Sequence, residues 1–280
     1  KLHSEALLQG RYALAFLQGD DQEMDRLVAE AAGKQNAEDF LLFFRGCTEI
    51  HHGRLGKARE FFQLAISTAE RARAVERMAR FQADASVNEA YLSDRQHARS
   101  HAISALKLDP NRDIIATVLL PLSLAGDIRR AQDLAIALDR DFPLDTGVQK
   151  YYLPTARAAL ALEQNNPRRV IEILQGLRSP EELGSMTQLD PVYLRGQAYI
   201  MLHNGSAAAT EFQKIIDHSG IVWFYPLAAL SHLGLARSYA LQGDTAKSQV
   251  AYRHFFALWK DADPDLPILQ AAKAEYAKLQ

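Results

Sequence analysis

The 280-residue sequence holds one cysteine, Cys47. Without a second thiol there is no internal disulfide and no cysteine-built zinc or iron–sulfur site. A chain so poor in cysteine suits either side of a membrane. An excess of charge of one sign is missing too. The 32 Lys and Arg residues nearly offset 34 Asp and Glu, for a formal net charge of −2. That balance argues against a whole-domain electrostatic footprint for nucleic acid. Long hydrophobic runs are absent. The most apolar stretch, residues 114–126, is too short to span a bilayer and contains Pro121 and Ser123. No signal peptide opens the chain, so no membrane insertion is expected of this segment. Period-two runs of Val, Ile and Thr, the mark of strands, hardly occur. The first residue is Lys1, not Met, and a piece of a longer protein with a head domain upstream is expected.

What is present is helix-forming. Hydrophobic residues make up 48% of the chain, ample for a core and too many for disorder. Ala, Leu, Gln, Glu and Arg dominate. Apolar residues recur at helical spacing, as in Phe61, Phe62, Ala65 and Ile66, and in Phe212, Ile215 and Ile216. Most prolines stand at helix ends, whereas Pro121 and Pro154 fall inside helical patterns and predict kinks or local starts. Tight-turn signals begin at Gly19, Gly53, Ser93, Gly126, Asn165, Gly205 and Gly243, with 33 to 40 residues between neighbours. Such a period belongs to helix–turn–helix solenoids, and tetratricopeptide units take about 34 residues.

The pattern within each period agrees. A tetratricopeptide unit wants a small residue and then an aromatic in helix A, and a small residue and then a large apolar one in helix B. Gly196, Tyr199, Ala208 and Phe212 meet this, as do Ala236, Tyr239, Ser248 and Tyr252. Gly46, Ala58 and Phe62 match in part, with Glu49 in the aromatic slot. The fold expected is all-α: one right-handed superhelical solenoid over 1–280. Its seven helix pairs cover roughly 3–33, 36–72, 75–108, 112–142, 145–178, 189–219 and 224–261. A C-terminal helix at about 267–279 caps the apolar face of the last pair, including Phe255, Phe256 and Trp259.

Residues 232–280, HLGLARSYALQGDTAKSQVAYRHFFALWKDADPDLPILQAAKAEYAKLQ, closely resemble the C-terminal end of a bacterial family of serine/threonine protein kinases with tetratricopeptide tails. Related arrays end winged-helix transcriptional regulators. RYALAFLQGD (11–20), FPLDT (142–146), YLPTARA (152–158), PVYLRGQAYI (191–200) and EFQKIIDHSGIV (211–222) extend the resemblance along the chain. It implies a catalytic or DNA-binding head, often one membrane span, and then this array. It supplies no ligand, and nothing catalytic carries over.

The residues themselves offer little chemistry. HRD, DFG, APE and GxGxxG are absent, as are GxxxxGK[ST], GxSxG and HExxH. No enzymatic activity and no cofactor are therefore expected of this segment. His97 and His101 have the spacing of two metal ligands on one helix face, yet read more simply as surface residues. His51 and His52 read as a polar helix C-terminus suited to a partly charged imidazole. Asp261, Asp263 and Asp265 begin like a calcium loop, but Leu266 replaces its glycine and Ala272 its bidentate glutamate, so the segment reads as an acidic connector. Asn204-Gly205-Ser206 is a turn. Arg73, Arg77 and Arg80 form a helical stripe flanked by Glu70, Glu76 and Asp84, a salt-bridged face. Cys47, among Phe43, Phe44 and Ile50, reads as an inert buried thiol.

Tyr151, Tyr152, Tyr193, Trp223, Phe224 and Tyr225 are concentrated in the last three repeats. Counting from the small helix A residue, the concave positions are Tyr152, Thr155, Tyr193, Gln197 and Arg237, with Arg80 and Tyr91 equivalent in the third repeat. Tyrosines mixed with Arg and Gln suit an extended peptide or a helix. The function expected is a non-enzymatic protein-binding or sensory tail of a bacterial kinase, with a protein or peptide in the concave groove. The alternatives are the sensor tail of a winged-helix regulator and a solenoid enclosing a small ligand near Tyr152, Tyr193 and Trp223.

Overall fold

Every helix begins with backbone N–H groups that need an acceptor, and an Asp or Asn just before the helix supplies one. This rule writes the architecture. Asp20, Asp94, Asn166, Asn204 and Asp244 each accept the backbone N–H three residues on. Directly before each of these caps one residue turns left-handed: Gly19, Ser93, Asn165, His203 and Gly243. The turn at Asn204-Gly205 is thus made by His203, at φ 54°, rather than by the glycine.

A computed structural model describes residues 5–34, 36–177 and 188–279. Among them are helices and no strand. The helices are α1 (Glu5–Gln18), α2 (Asp21–Ala31), α3 (Glu38–His51), α4 (Leu55–Arg71), α5 (Val75–Tyr91), α6 (Arg95–Leu108), α7 (Arg112–Leu124) and α8 (Ile128–Asp141). After a π turn at Val148–Tyr152 come α9 (Leu153–Glu163), α10 (Pro167–Leu174), α11 (Asp190–Met201), α12 (Gly205–Asp217) and the single turn α13 (Ser219–Val222). The chain ends with α14 (Leu227–Leu241), α15 (Thr245–Leu258) and α16 (Pro267–Ala277). Successive helices pack as hairpins and each hairpin packs on the next. Pro121 lies inside α7, and Pro154 opens α9 behind the π turn.

Small residues let the helices approach. The Phe212 ring sits between two glycines: a β-carbon on Gly196 would lie 2.7 Å from it and one on Gly234 2.6 Å. One aromatic of α12 thereby spaces α11 from α14. In the second and third pairs the corresponding filler is a stack, with Phe43 at 4.9 Å from both Phe62 and Phe81. Arg195 of α11 is buried, binds Glu211 of α12 through two nitrogens, and donates to the Leu174 and Leu177 carbonyls at the end of α10.

The array also folds back on itself. Residues 51–56, at the α3–α4 turn, meet the segment after α15. His52 Nδ1 bonds the Leu258 carbonyl (3.2 Å), Trp259 Nε1 donates to the His51 carbonyl (3.0 Å), and the Asp263 N–H donates to the Gly53 carbonyl (3.0 Å). Gly53 has φ +72°, and a β-carbon there would lie 2.7 Å from Ala262 and 2.8 Å from the Trp259 ring. The cap of α4 comes from the same place. Arg54 precedes α4 and gives no side-chain cap. Asp263, 207 positions away, accepts the Gly56 N–H at 2.8 Å instead. Phe224 joins in: it lies 4.8 to 6.0 Å from Phe44, Phe16 and Tyr12 of the first two pairs. The bend that sends it there leaves Trp223 at φ 45°, a conformation that costs free energy in a non-glycine residue.

These contacts revise three sequence readings. His51 is buried, with Nδ1 on the Tyr225 carbonyl, and burial lowers its pKa to about 3, so it is neutral rather than a charged partner of the helix dipole. Trp259 is covered by the N-terminal turn. The terminal helix takes Tyr252 and Phe256, which Tyr276 meets at 5.6 Å each. Arg73 is left-handed at φ 54°, outside α5, and so breaks the stripe. Arg77 pairs with Asp39 rather than with a flanking acid, while Arg80 pairs with its expected neighbour Asp84.

Two outcomes test this account. Gly196→Leu is expected to destabilise the chain by about 1–3 kcal/mol through overpacking against Phe212, read from urea melts; a change of a few tenths would refute the close contact. Asp263→Ala is expected to cost about 0.5–2 kcal/mol, as for loss of a helix cap. Its amide exchange should accelerate in the first turn of α4, far in sequence from the substitution.

Candidate functional site

Three departures from local rules bring residues to one wall. The five-residue π turn carries Tyr151 and Tyr152; π turns re-aim side chains and recur at functional sites. Pro121 has no N–H to offer the carbonyl four residues back, on Thr117. Gln188 and Leu189 are both left-handed, at φ 46° and 62°, just before α11. Tyr151, Tyr152, Thr117, Gln188 and Asp190 all line a cavity of about 530 Å³, measured to include its open side, together with Arg80, Asp84, Thr155 and Tyr225.

The polar groups here are unequally satisfied. Asp190, the first residue of α11, is buried and accepts the hydroxyls of Tyr91 and Tyr151. Burial raises its carboxyl from 3.8 to about 6, and the two phenol bonds only partly counter that. Burial first, and then the Asp190 charge, hold both phenols well above their ordinary pKa. Arg80 donates through Nε to Asp84 at 2.7 Å. Its side chain is 51% exposed, and its two Nη groups form no hydrogen bond among the described residues. The Gln188 Oε1 is buried with no hydrogen-bond partner, a state that costs about 1–3 kcal/mol in general.

A second cavity, about 740 Å³ by the same measure, lies on the other side of the Tyr91–Asp190–Tyr151 bridge. It is lined by Tyr91, Tyr193, Gln197 and Arg237, with Leu230 and Ile268 among its apolar walls. The five groove positions named from sequence thus divide between two adjoining cavities. Tyr152 and Thr155 face the first; Tyr193, Gln197 and Arg237 face the second. Trp223 lines neither. Thr155 and Arg237 are already engaged elsewhere, and Tyr193 and Gln197 hydrogen-bond each other. Thr155 is buried and donates to the Tyr151 carbonyl at 2.6 Å. Arg237 holds Glu275 of α16 through two nitrogens at 2.8 and 3.0 Å, and Tyr252 donates to the same carboxylate. Tyr193 rests edge-on against Tyr91 (5.6 Å) and Phe212 (5.7 Å).

Sequence reasoning missed Gln188, Asp190 and Thr117; Tyr225 was in its aromatic group but not among the groove positions. Pro191 is one of the prolines at helix ends, and the one signal for Asp190, an acidic residue directly before a proline at a helix start, is common. The remaining sequence candidates resolve simply. His97 bonds Asp94 and His101 bonds Gln82. Glu89, Asp94 and His97 do converge, but Arg59 donates to both carboxylates at 2.7–2.8 Å and supplies the positive charge they share. Cys47 is buried, and its thiol pKa is raised by burial.

No family model matches the chain, and no curated protein matches it.

Because the Asp190 carboxyl is raised in the folded chain, its contribution to stability is present below its unfolded pKa and is lost as pH rises through about 6. Asp190→Asn, which does not titrate, should therefore be more costly at low pH. Its destabilisation is expected to shrink by roughly 2 kcal/mol between about pH 4.5 and pH 7, consistent with a shift of that size, in denaturant melts at the two pH values. An equal cost at both would place Asp190 in a solvated setting.

Proposed function

We propose that the chain is a non-enzymatic helical-repeat binding module, a right-handed tetratricopeptide-type superhelix. In this reading it serves as the interaction tail of a bacterial serine/threonine protein kinase. The kinase assignment rests on the sequence resemblance of residues 232–280 and the shorter segments before them. The binding assignment rests on one observation: two adjoining cavities, joined by the Tyr91–Asp190–Tyr151 bridge, present Tyr152 and Arg80 on one side and Tyr193 and Gln197 on the other. Tyrosine offers a large contact area with few rotors to freeze, and Arg and Gln give directional hydrogen bonds. An extended segment of a partner laid across the bridge would reach both cavities.

Tyr152 and Gln197 are half-buried, and the Gly196–Phe212–Gly234 wedge is built without them. The double variant Tyr152→Ala/Gln197→Ala is therefore expected to melt near the parent temperature. It should bind a partner, identified by cross-linking to the parent chain, about tenfold or more weakly, since loss of a buried aromatic anchor costs at least that. Unchanged affinity in a folded variant would move the binding face elsewhere.

A further inference from the structure

The first cavity carries hydrogen-bonding capacity that no described residue uses, and of both senses. Gln188 Oε1 is a buried acceptor without a donor. Arg80 lines the same space with two Nη groups that form no hydrogen bond among the described residues. Buried polar atoms are nearly always paired, so an unpaired one that lines a cavity points to a missing partner. The backbone is held there at some cost as well, since Gln188 and Leu189 are consecutive non-glycine residues in the left-handed region.

The charge of the lining narrows the chemistry. Asp84 neutralises Arg80, and Asp190 adds a second carboxylate. A carboxylate ligand could meet Arg80 but would bring a third negative group and leave Gln188 without a donor. An ammonium could serve Gln188 but would face the Arg80 guanidinium. A neutral group with a carbonyl oxygen for Arg80 and an N–H for Gln188 satisfies both. We propose that this cavity binds a primary carboxamide, with its oxygen on Arg80 and its amide nitrogen on Gln188. Tyr152 and Tyr225 form the wall beside it. Two sources present this group: the side chain of Gln or Asn in a bound peptide, or a free amide-bearing metabolite such as glutamine. The inference rests on the reading of these cavities as a binding face.

The experiment is titration calorimetry of the 280-residue chain with four probes: N-acetyl-glutamine N-methylamide, its glutamate and lysine counterparts, and free L-glutamine. A site built to hydrogen-bond both ends of an amide rejects analogues that cannot. Saturable binding of the glutamine probe is expected, with both counterparts more than about tenfold weaker. Binding of the blocked probe assigns a peptide side chain; binding of free glutamine alone assigns a metabolite. Gln188→Leu and Arg80→Ala should each weaken the glutamine probe by more than about tenfold at an unchanged melting temperature. Gln188→Leu removes an unpaired polar atom and Arg80 is half exposed, so both variants are expected to fold. The proposal is overturned by absence of saturable binding by either glutamine form, by glutamate or lysine binding equally well, or by undiminished binding to folded Gln188→Leu. Loss of probe binding alongside intact partner binding would remove the carboxamide site and leave the interaction face standing.

Discussion

The return of the last repeat to the second is the contact on which the rest of the arrangement depends. Seven positions precede the second helix of a pair, and six carry Asp or Asn: Asp20, Asp94, Asp127, Asn166, Asn204 and Asp244. The seventh is Arg54, and there the missing acceptor is Asp263. A helix that would otherwise start uncapped is completed only when the C-terminal segment is in place. The same turn accepts Trp259 and needs Gly53, since any side chain at that residue would strike Trp259 and Ala262. Closure also draws Phe224 into the aromatic group of the first two pairs. It holds Tyr225 where its carbonyl receives His51 and its side chain lines the first cavity. The N-terminal pairs therefore fix a cavity wall to which their own side chains do not contribute.

Much of the fold was legible in the sequence because it is set locally. Left-handed residues followed by Asp or Asn mark the turns, and the Gly196–Phe212 contact follows from the spacing of one repeat. Pro154 and Pro121 were visible as irregular points. Closure was not legible, because nothing in DADPD at 261–265 distinguishes an acidic connector from a cap meant for a helix 207 residues away. For the same reason His51 and His52 looked like a polar helix end; only the arrival of Tyr225 and Leu258 gives them carbonyl partners, His51 buried and His52 half-buried.

The candidate site was half legible. Repeat counting named Tyr152, Tyr193, Gln197 and Arg237, and each lines one of the two cavities. It could not show that Arg237 is already held by Glu275, a contact made from another helix. It could not find Gln188 or Asp190 either, because their placement depends on a left-handed bend outside the repeat pattern. Three of the irregular points meet at the cavity where Gln188 Oε1 has no partner among the described residues, as happens when local consistency gives way to function.

An open solenoid grows or shrinks by whole units with little penalty, because each unit meets only its neighbours. Asp263 removes that freedom. Deleting or duplicating any hairpin between α4 and α15 would carry Asp263 and Trp259 away from Gly56 and Gly53 by the width of a repeat. The number of units in this chain is thereby counted by a single carboxylate, and lineages that keep Arg54 and Asp263 together should keep the repeat number as well.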